Sequence, residues 1–189
     1  MNRIAATAIA ASLAFAAPAR ADDIADAIAA AKDAYASGDA DATKRSLDLA
    51  SQLLAQKAAD GLARLLPEPP AGWTAEPAET EGSGMAGLFG GGLVVKRTYA
   101  SGDARATIQL LANSPLLTQM IPLFSNPQLL GAMGKVFSLK GRSAVTTSEG
   151  EIQIVAGQTL VTIEGSASAE QKRALAEGLD LKALERFGK

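Results

Sequence analysis

The chain has 189 residues, with 18 basic and 20 acidic side chains, no histidine and no cysteine. Without histidine or cysteine it has neither a Ser-His-Asp nor a Cys-His catalytic arrangement, and no zinc site built on those ligands. A mildly acidic chain also lacks the concentrated basic patch that nucleic-acid binding requires, so no nucleic-acid partner is predicted.

The first 21 residues have the pattern of a cleaved signal peptide. Met1-Asn2-Arg3 is a short basic region, an apolar run follows from Ile4 to Ala17, and Ala19-Arg20-Ala21 fits a small-x-small cleavage site. The apolar run is too short to span a bilayer, and no cysteine stands at the cleavage point to carry a lipid anchor. We therefore expect a periplasmic protein that begins at Asp22 and has no membrane span.

Residues 22–66 are predicted to form a helical hairpin. Ser37-Gly38-Asp39 interrupts the helical spacing of the apolar residues, and Asp39 or Asp41 suits the N-cap of the second helix. The segment resembles half of a tetratricopeptide-type repeat, but no second copy follows, and we interpret the likeness as convergence between helix hairpins. The apolar stripe of the first helix comprises Ile24, Ala27, Ile28, Ala31 and Tyr35, and that of the second comprises Leu47, Ala50, Leu54, Ala58, Leu62 and Leu65.

Proline-rich residues 67–72 separate the hairpin from the rest of the chain. Pro67 ends the second helix, and the prolines that follow favour a stiff, extended connection. Trp73, the single tryptophan, comes next and is predicted to cover an edge of the core. The expected divisions are a hairpin at 22–66, a linker at 67–72 and an α+β sheet domain at 73–189.

A glycine-rich segment at 82–92 contains a literal G-x-G-x-x-G match between Gly82 and Gly87. A dinucleotide site needs a strand before this motif and a helix after it, whereas acidic residues precede it here and further glycines follow. No cofactor is therefore predicted. Met85, Leu88 and Phe89 are apolar side chains on this segment, and they either contact a ligand or partner or pack back onto the sheet.

Residues 93–112 are predicted to form a β-hairpin around a two-residue turn at Gly102-Asp103, because apolar and polar side chains alternate along them. Arg97 falls on the apolar face of this hairpin, so we expect a bulge or the end of the sheet there. The turn fixes the opposing pairs Tyr99–Ala106, Val95–Leu110 and Arg97–Ile108.

Residues 115–134 contain no charged side chain. Ser114-Pro115 starts one helix, and Asn126-Pro127 starts a second. A helix that is apolar on most sides is usually buried, but this pair could instead line a cavity for an apolar ligand, with methionines as adaptable walls. The side chains that would line such a cavity are Met120, Phe124 and Met133.

The remaining chain is predicted to form a strand meander and a final helix. Its tight turns are expected at Gly141-Arg142 and Ala156-Gly157, and Ser168 with Gln171 forms a capping box for a helix that ends at Glu177. Helices, strands, helices, strands and a helix in this order predict an α+β fold. Its N-terminal helical hairpin precedes a largely antiparallel β-sheet with covering helices.

Three short motifs characterise the predicted mature chain. They are Ala-Tyr-x-x-Gly-Asp in the hairpin, Leu-Pro-x-Pro-x-x-Gly-Trp at the junction, and a glycine-preceded strand that ends in Arg-x-Tyr. In these motifs the chain resembles a family of uncharacterised exported bacterial proteins. The resemblance implies a periplasmic location and no particular activity.

Two functions are compatible with these features, and neither is catalytic. The first is an envelope adaptor that binds another protein through the helical hairpin and the glycine-rich segment. The second is a carrier for an apolar, lipid-like ligand held between the sheet and helices 115–134. No catalytic pair, cofactor or metal site is predicted. The candidate contact residues are Met85, Leu88, Phe89, Met120, Phe124 and Met133.

Overall fold

The computed structural model describes residues 22–81 and 91–187 and has the predicted α+β fold. A helix pair precedes a large sheet in which every strand pair is antiparallel. The described chain divides into two compact units, one extending to Ser51 and the other starting at Gln52. The helices are α1 (Asp23–Ala36), α2 (Ala40–Ala63), α3 (Pro115–Ser125), α4 (Pro127–Met133), α5 (Ala169–Glu177) and α6 (Leu181–Arg186).

The turn between α1 and α2 follows the predicted signals. Gly38 takes a positive φ of 79°, which suits the residue after a helix end. The carboxylate of Asp39 then accepts a hydrogen bond from the backbone N–H of Ala42 at 2.8 Å and so caps α2. Of the two expected caps, Asp39 is therefore the one used.

Strands β1 to β4 form one half of the sheet and strands β5 to β8 form the other, and the two halves meet where β4 pairs with β8. Strand β3 pairs with β4, β4 pairs with β8, and β8 leads outward through β7 and β6 to β5. Two short strands, β1 and β2, lie along the outer edge of β3. The strands are β1 (Thr74–Ala75), β2 (Glu79–Glu81), β3 (Leu93–Ser101), β4 (Ala104–Ala112), β5 (Gly134–Leu139), β6 (Arg142–Thr147), β7 (Ile152–Ala156) and β8 (Thr159–Glu164).

The β3–β4 hairpin has the predicted register. Tyr99 lies opposite Ala106, and Arg97 lies opposite Ile108. The bulge or sheet end expected at Arg97 is wrong for this ladder, because β3 and β4 pair without interruption from Leu93 to Ser101. The irregularity lies one strand further out, where β1 and β2 pair with β3 on either side of Arg97.

The turn between β5 and β6 lies one residue earlier than predicted. Leu139 pairs with Arg142, so the turn residues are Lys140 and Gly141. Both have positive φ angles, 48° and 80°, which matches the twist that a two-residue antiparallel turn requires. The sequence does not indicate this position of the turn, because lysine is not a residue that signals a left-handed backbone.

Each face of the sheet is covered by different helices. Residues from the end of α2 and from α5 and α6 pack on one face, around Ile108, Ile154 and Ile163. On the other face Phe124 of α3 and Leu130 of α4 pack against Val145. The sheet is therefore buried on both faces at strands β6, β7 and β8.

The predicted start of the final helix is confirmed. The Ser168 hydroxyl accepts a hydrogen bond from the N–H of Gln171, and the Gln171 side chain accepts one from the N–H of Ser168. This is the reciprocal pattern of a capping box.

Gly134, at the start of β5, provides a test of how closely β5 packs against β6. A Cβ at Gly134 would overlap the carbonyl oxygen of Thr146, whereas a Cβ at Gly131 in α4 would meet nothing within 4 Å. We expect Gly134→Ala to lower the free energy of unfolding by at least about 2 kcal/mol. Gly131→Ala should leave it unchanged or raise it by up to about 1 kcal/mol, because alanine favours a helix.

Urea unfolding followed by circular dichroism measures both variants. Equal stability of the two would contradict the described path of the chain into β5.

Candidate functional site

Of the six candidate contact residues, the structure describes Met120, Phe124 and Met133. Met85, Leu88 and Phe89 lie outside the described residues, so the expectations for them stay predictions. Phe124 is buried at 7% exposure, and Met133 is partly buried against the same cluster. Met120 points outward at 39% exposure. Phe124 and Met133 therefore belong to one apolar cluster, whereas Met120 is exposed.

The space between the sheet and helices α3 and α4 is filled by side chains. Phe124, Leu130 and Val145 form its buried centre, and further apolar residues pack against them. A cavity of about 360 Å³ lies at the margin of this cluster. It is lined by Ile121, Phe124, Ser125, Gly141, Arg142, Ser143, Val155, Gly157 and Glu185.

A larger cavity of about 600 Å³ lies beside α6 and the β5–β6 turn, and most of its charged side chains have partners. Arg142 forms an ion pair with Glu185, and Lys140 Nζ donates a hydrogen bond to the carbonyl of Leu179 at 2.8 Å. Asp180 accepts hydrogen bonds from the first backbone N–H groups of α6. These groups stabilise the turn and the helix, and their geometry places no nucleophile next to a base.

Large apolar side chains are exposed on the helix pair. Tyr35 is 78% exposed, and Ile28 and Leu47 are about half exposed. The buried side chains of the first unit are alanines, namely Ala27, Ala31 and Ala50. Within residues 22–51, the buried positions of the predicted stripes are therefore alanines, whereas the large side chains Ile28, Tyr35 and Leu47 are exposed. Exposed large apolar side chains of this kind are typical of interaction surfaces.

A second exposed apolar group lies on α3, α4 and β5. Leu116 and Leu129 are 44% and 47% exposed, and Val136 is 38% exposed. Leu116, Leu129 and the exposed Met120 belong to the uncharged segment 115–134, and Val136 follows directly after it. The sequence identified this segment by its lack of charge, but periodicity did not show which side would stay uncovered.

The Pro-rich junction is held to the sheet by two side chains of β3. The Tyr99 hydroxyl donates a hydrogen bond to the carbonyl of Pro67 at 2.7 Å, and Arg97 Nη1 approaches the same oxygen at 3.5 Å. Arg97 Nε is buried, and no partner for it lies within the described residues. Trp73 packs partly buried against the same core, in the position that the sequence predicted for it.

Burial raises the pKa of Tyr99 to about 12, although the charge and the hydrogen bond of Arg97 oppose this shift. The negative charge of Glu68 raises the pKa further. A protonated, fully buried phenol that donates to a backbone carbonyl serves the structure. We assign it no chemical role.

Acidic residues do not gather into a metal site in the described chain. Within residues 22–81 and 91–187, no group of three Asp, Glu, His or Cys side chains is placed to hold a metal ion. Of the helices in those ranges, none has the length and apolar character needed to cross a membrane.

Comparison with known proteins identifies no relative. The chain matches no family model, and no curated protein or solved structure is significantly similar to it. The resemblance to uncharacterised exported proteins therefore stays a prediction.

Tyr99 gives a pH-dependent test of the junction. Because its pKa in the folded protein, about 12, is above the unfolded value of about 10, its contribution to stability is complete below pH 10. That contribution is lost as the pH rises from about 10 to 12. The chain has two tyrosines, so in a Tyr35→Phe variant the absorbance of tyrosinate reports Tyr99 alone. We expect its midpoint near pH 12, and a midpoint near 10 in the folded protein would contradict the buried position.

Tyr99→Phe removes the hydroxyl and leaves the Pro67 carbonyl without its short hydrogen bond. We expect a loss of about 1–2 kcal/mol in the free energy of unfolding at neutral pH. Stability should then fall less between pH 10 and 12 than it does in the parent. Thr98→Ser, on the opposite face of the same strand, is the control.

Proposed function

We propose that the protein is a non-catalytic adaptor of the bacterial envelope that binds another protein through its helix pair. The observation that carries this proposal is the exposure of Ile28, Tyr35, Leu47 and Leu49, each between 49% and 78%. Folded proteins seldom leave several large apolar side chains uncovered on so small a unit. A helix hairpin of this kind usually buries its apolar face against a neighbouring element.

The charge of the helix pair indicates the chemistry of its partner. Residues 22–51 contain seven aspartates against Lys32, Lys44 and Arg45. An acidic surface of this kind is repelled by anionic lipid and attracted to basic side chains. The partner surface is therefore apolar at its centre, with basic residues around it.

The envelope location rests on the predicted signal peptide, since the adaptor would meet its partner after export. The predicted contacts of Met85, Leu88 and Phe89 belong to the same proposal, as a second contact region. Support for a non-catalytic role comes from the paired or structural use of the charged groups beside α6.

Site-specific photocrosslinking in native envelopes tests the adaptor. A photoreactive amino acid at Tyr35 or Leu47 should capture one discrete protein, because both side chains are at least half exposed. The same probe at Ser148, an exposed turn residue of the second unit, is the control.

A further substitution separates binding from folding. Leu47→Glu places a negative charge on an exposed apolar position, so it should change the free energy of unfolding by less than about 0.5 kcal/mol. The crosslink from Tyr35 should nevertheless be lost. Equal crosslinking from Tyr35, Leu47 and Ser148, or none from any of them, would contradict the proposal.

A second candidate function is carriage of a lipid-like ligand, because the 360 Å³ cavity beside Phe124 is lined by apolar side chains together with the charged pair Arg142 and Glu185. Ligand pockets of small molecules begin at about this size. A carrier purified from native material should contain extractable lipid, and a long-chain fatty acid should raise its melting temperature. Phe124→Trp, which fills the cavity margin, should abolish that rise. An empty protein that no lipid stabilises would exclude this candidate.

A further inference from the structure

The solvent-facing side of α3 and α4 carries no charge. Both helices cover the same face of the sheet, because Phe124 of α3 and Leu130 of α4 pack against Val145. Their other side is exposed, yet residues 115–134 contain no charged side chain. A helix at the surface of a folded protein ordinarily has charged and polar residues on its exposed side.

Helix α5, which packs on the opposite face of the sheet, has that ordinary distribution. Its side chains Leu175 and Ala176 are buried in the main core. Glu170, Arg173 and Glu177 are exposed on the same helix. The two faces of the sheet are therefore covered by helices that present different chemistry to their surroundings.

Four large apolar side chains are exposed on α3, α4 and β5, and we call them the α3–α4 surface. Leu116 and Met120 are four residues apart and therefore lie on the same side of α3. Val136 lies opposite Val145, on the sheet face that α4 covers, and α4 contacts β5. The four residues are Leu116, Met120, Leu129 and Val136, each between 38% and 47% exposed.

The charges that α3, α4, β5 and β6 contribute are all basic. From residue 104 to residue 148 the chain contains no acidic residue. Lys135, which directly precedes Val136, is exposed. Lys140 keeps its charge while it donates a hydrogen bond to a backbone carbonyl, whereas Arg142 is neutralised by Glu185 of α6. The α3–α4 surface is thus apolar, with two lysines on the strand and turn that follow it.

We propose that the α3–α4 surface docks on an anionic phospholipid bilayer. Aliphatic side chains on an otherwise uncharged helix face enter the boundary between head groups and acyl chains. Lysines beside them are attracted to anionic head groups. The centre of a protein–protein interface is instead enriched in aromatic residues and arginine. The one aromatic residue of α3 and α4, Phe124, is buried, and neither helix contains an arginine.

This docking is separate from both functions proposed above. The adaptor binds its partner through the helix pair, whose residues belong to the other unit of the chain. A carrier takes lipid into the cavity beside Phe124, whereas docking leaves the lipid in the bilayer. Each proposal can therefore fail alone.

Cosedimentation of the purified full-length protein with vesicles tests the docking. The probes are vesicles of phosphatidylcholine alone and vesicles of phosphatidylcholine mixed with phosphatidylglycerol. We expect the bound fraction to be at least about fivefold higher on the vesicles that contain phosphatidylglycerol. It should fall as salt is added, because salt screens the two lysines.

Matched variants locate the contact on the protein. Leu116→Glu and Leu129→Glu each place a negative charge at an exposed apolar position of the α3–α4 surface, and each should abolish binding. Lys135→Glu should lower binding to the level seen on phosphatidylcholine. Leu47→Glu makes the same change on the helix pair and should leave binding unchanged.

A fluorescent label gives a second measurement that does not depend on the charged variants folding. The chain contains no cysteine, so Met120→Cys introduces a single thiol for an environment-sensitive dye. Its emission should shift to the blue when vesicles with phosphatidylglycerol are added, because the dye enters the boundary region. Ala174→Cys, at an exposed position of α5, is the control and should show no shift.

Binding that the two leucine variants abolish and Leu47→Glu retains, with a blue shift at position 120 alone, supports the proposal. A protein that binds neither kind of vesicle overturns it. Binding that all the variants retain, or equal shifts at positions 120 and 174, overturns it as well. Crosslinking of a protein from position 120 in native envelopes, without vesicle binding, would assign this surface to a protein partner instead.

Discussion

The carbonyl of Pro67 is the point on which the sheet unit depends. Tyr99, which is fully buried on strand β3, donates its hydroxyl hydrogen to this oxygen. The residue directly before the acceptor is Leu66, and with Leu62 it packs into the main core. One hydrogen bond in an apolar environment therefore holds the chain that follows α2 against strand β3.

The same contact explains why Arg97 is accommodated on an apolar face. Its guanidinium group approaches the Pro67 carbonyl, so its charge lies near a polar group and not among the isoleucines of the core. Gly178, after α5, brings a third element to the junction, since a Cβ there would lie 3.1 Å from Pro67 Cβ. Two of the motifs noted in the sequence, Leu-Pro-x-Pro-x-x-Gly-Trp and Arg-x-Tyr, thus meet at one place in the structure.

The sequence predicts the structure best where local chemistry decides it. The β3–β4 register follows from alternation and a two-residue turn, and the cap of α5 follows from Ser168 and Gln171. The bulge at Arg97 was wrong because the acceptor that accommodates the side chain lies 30 residues away in the sequence. Such a pairing leaves no periodic signal.

The candidate contact residues show what helical spacing alone does not predict. Helical spacing identified Phe124 as apolar and inward-facing, but a core residue and a pocket residue have the same spacing. The large side chains of the helix pair were equally ambiguous, since spacing places Leu47 and Ala50 on one stripe although Ala50 is buried and Leu47 is not. Which part of a stripe is covered depends on what packs against it.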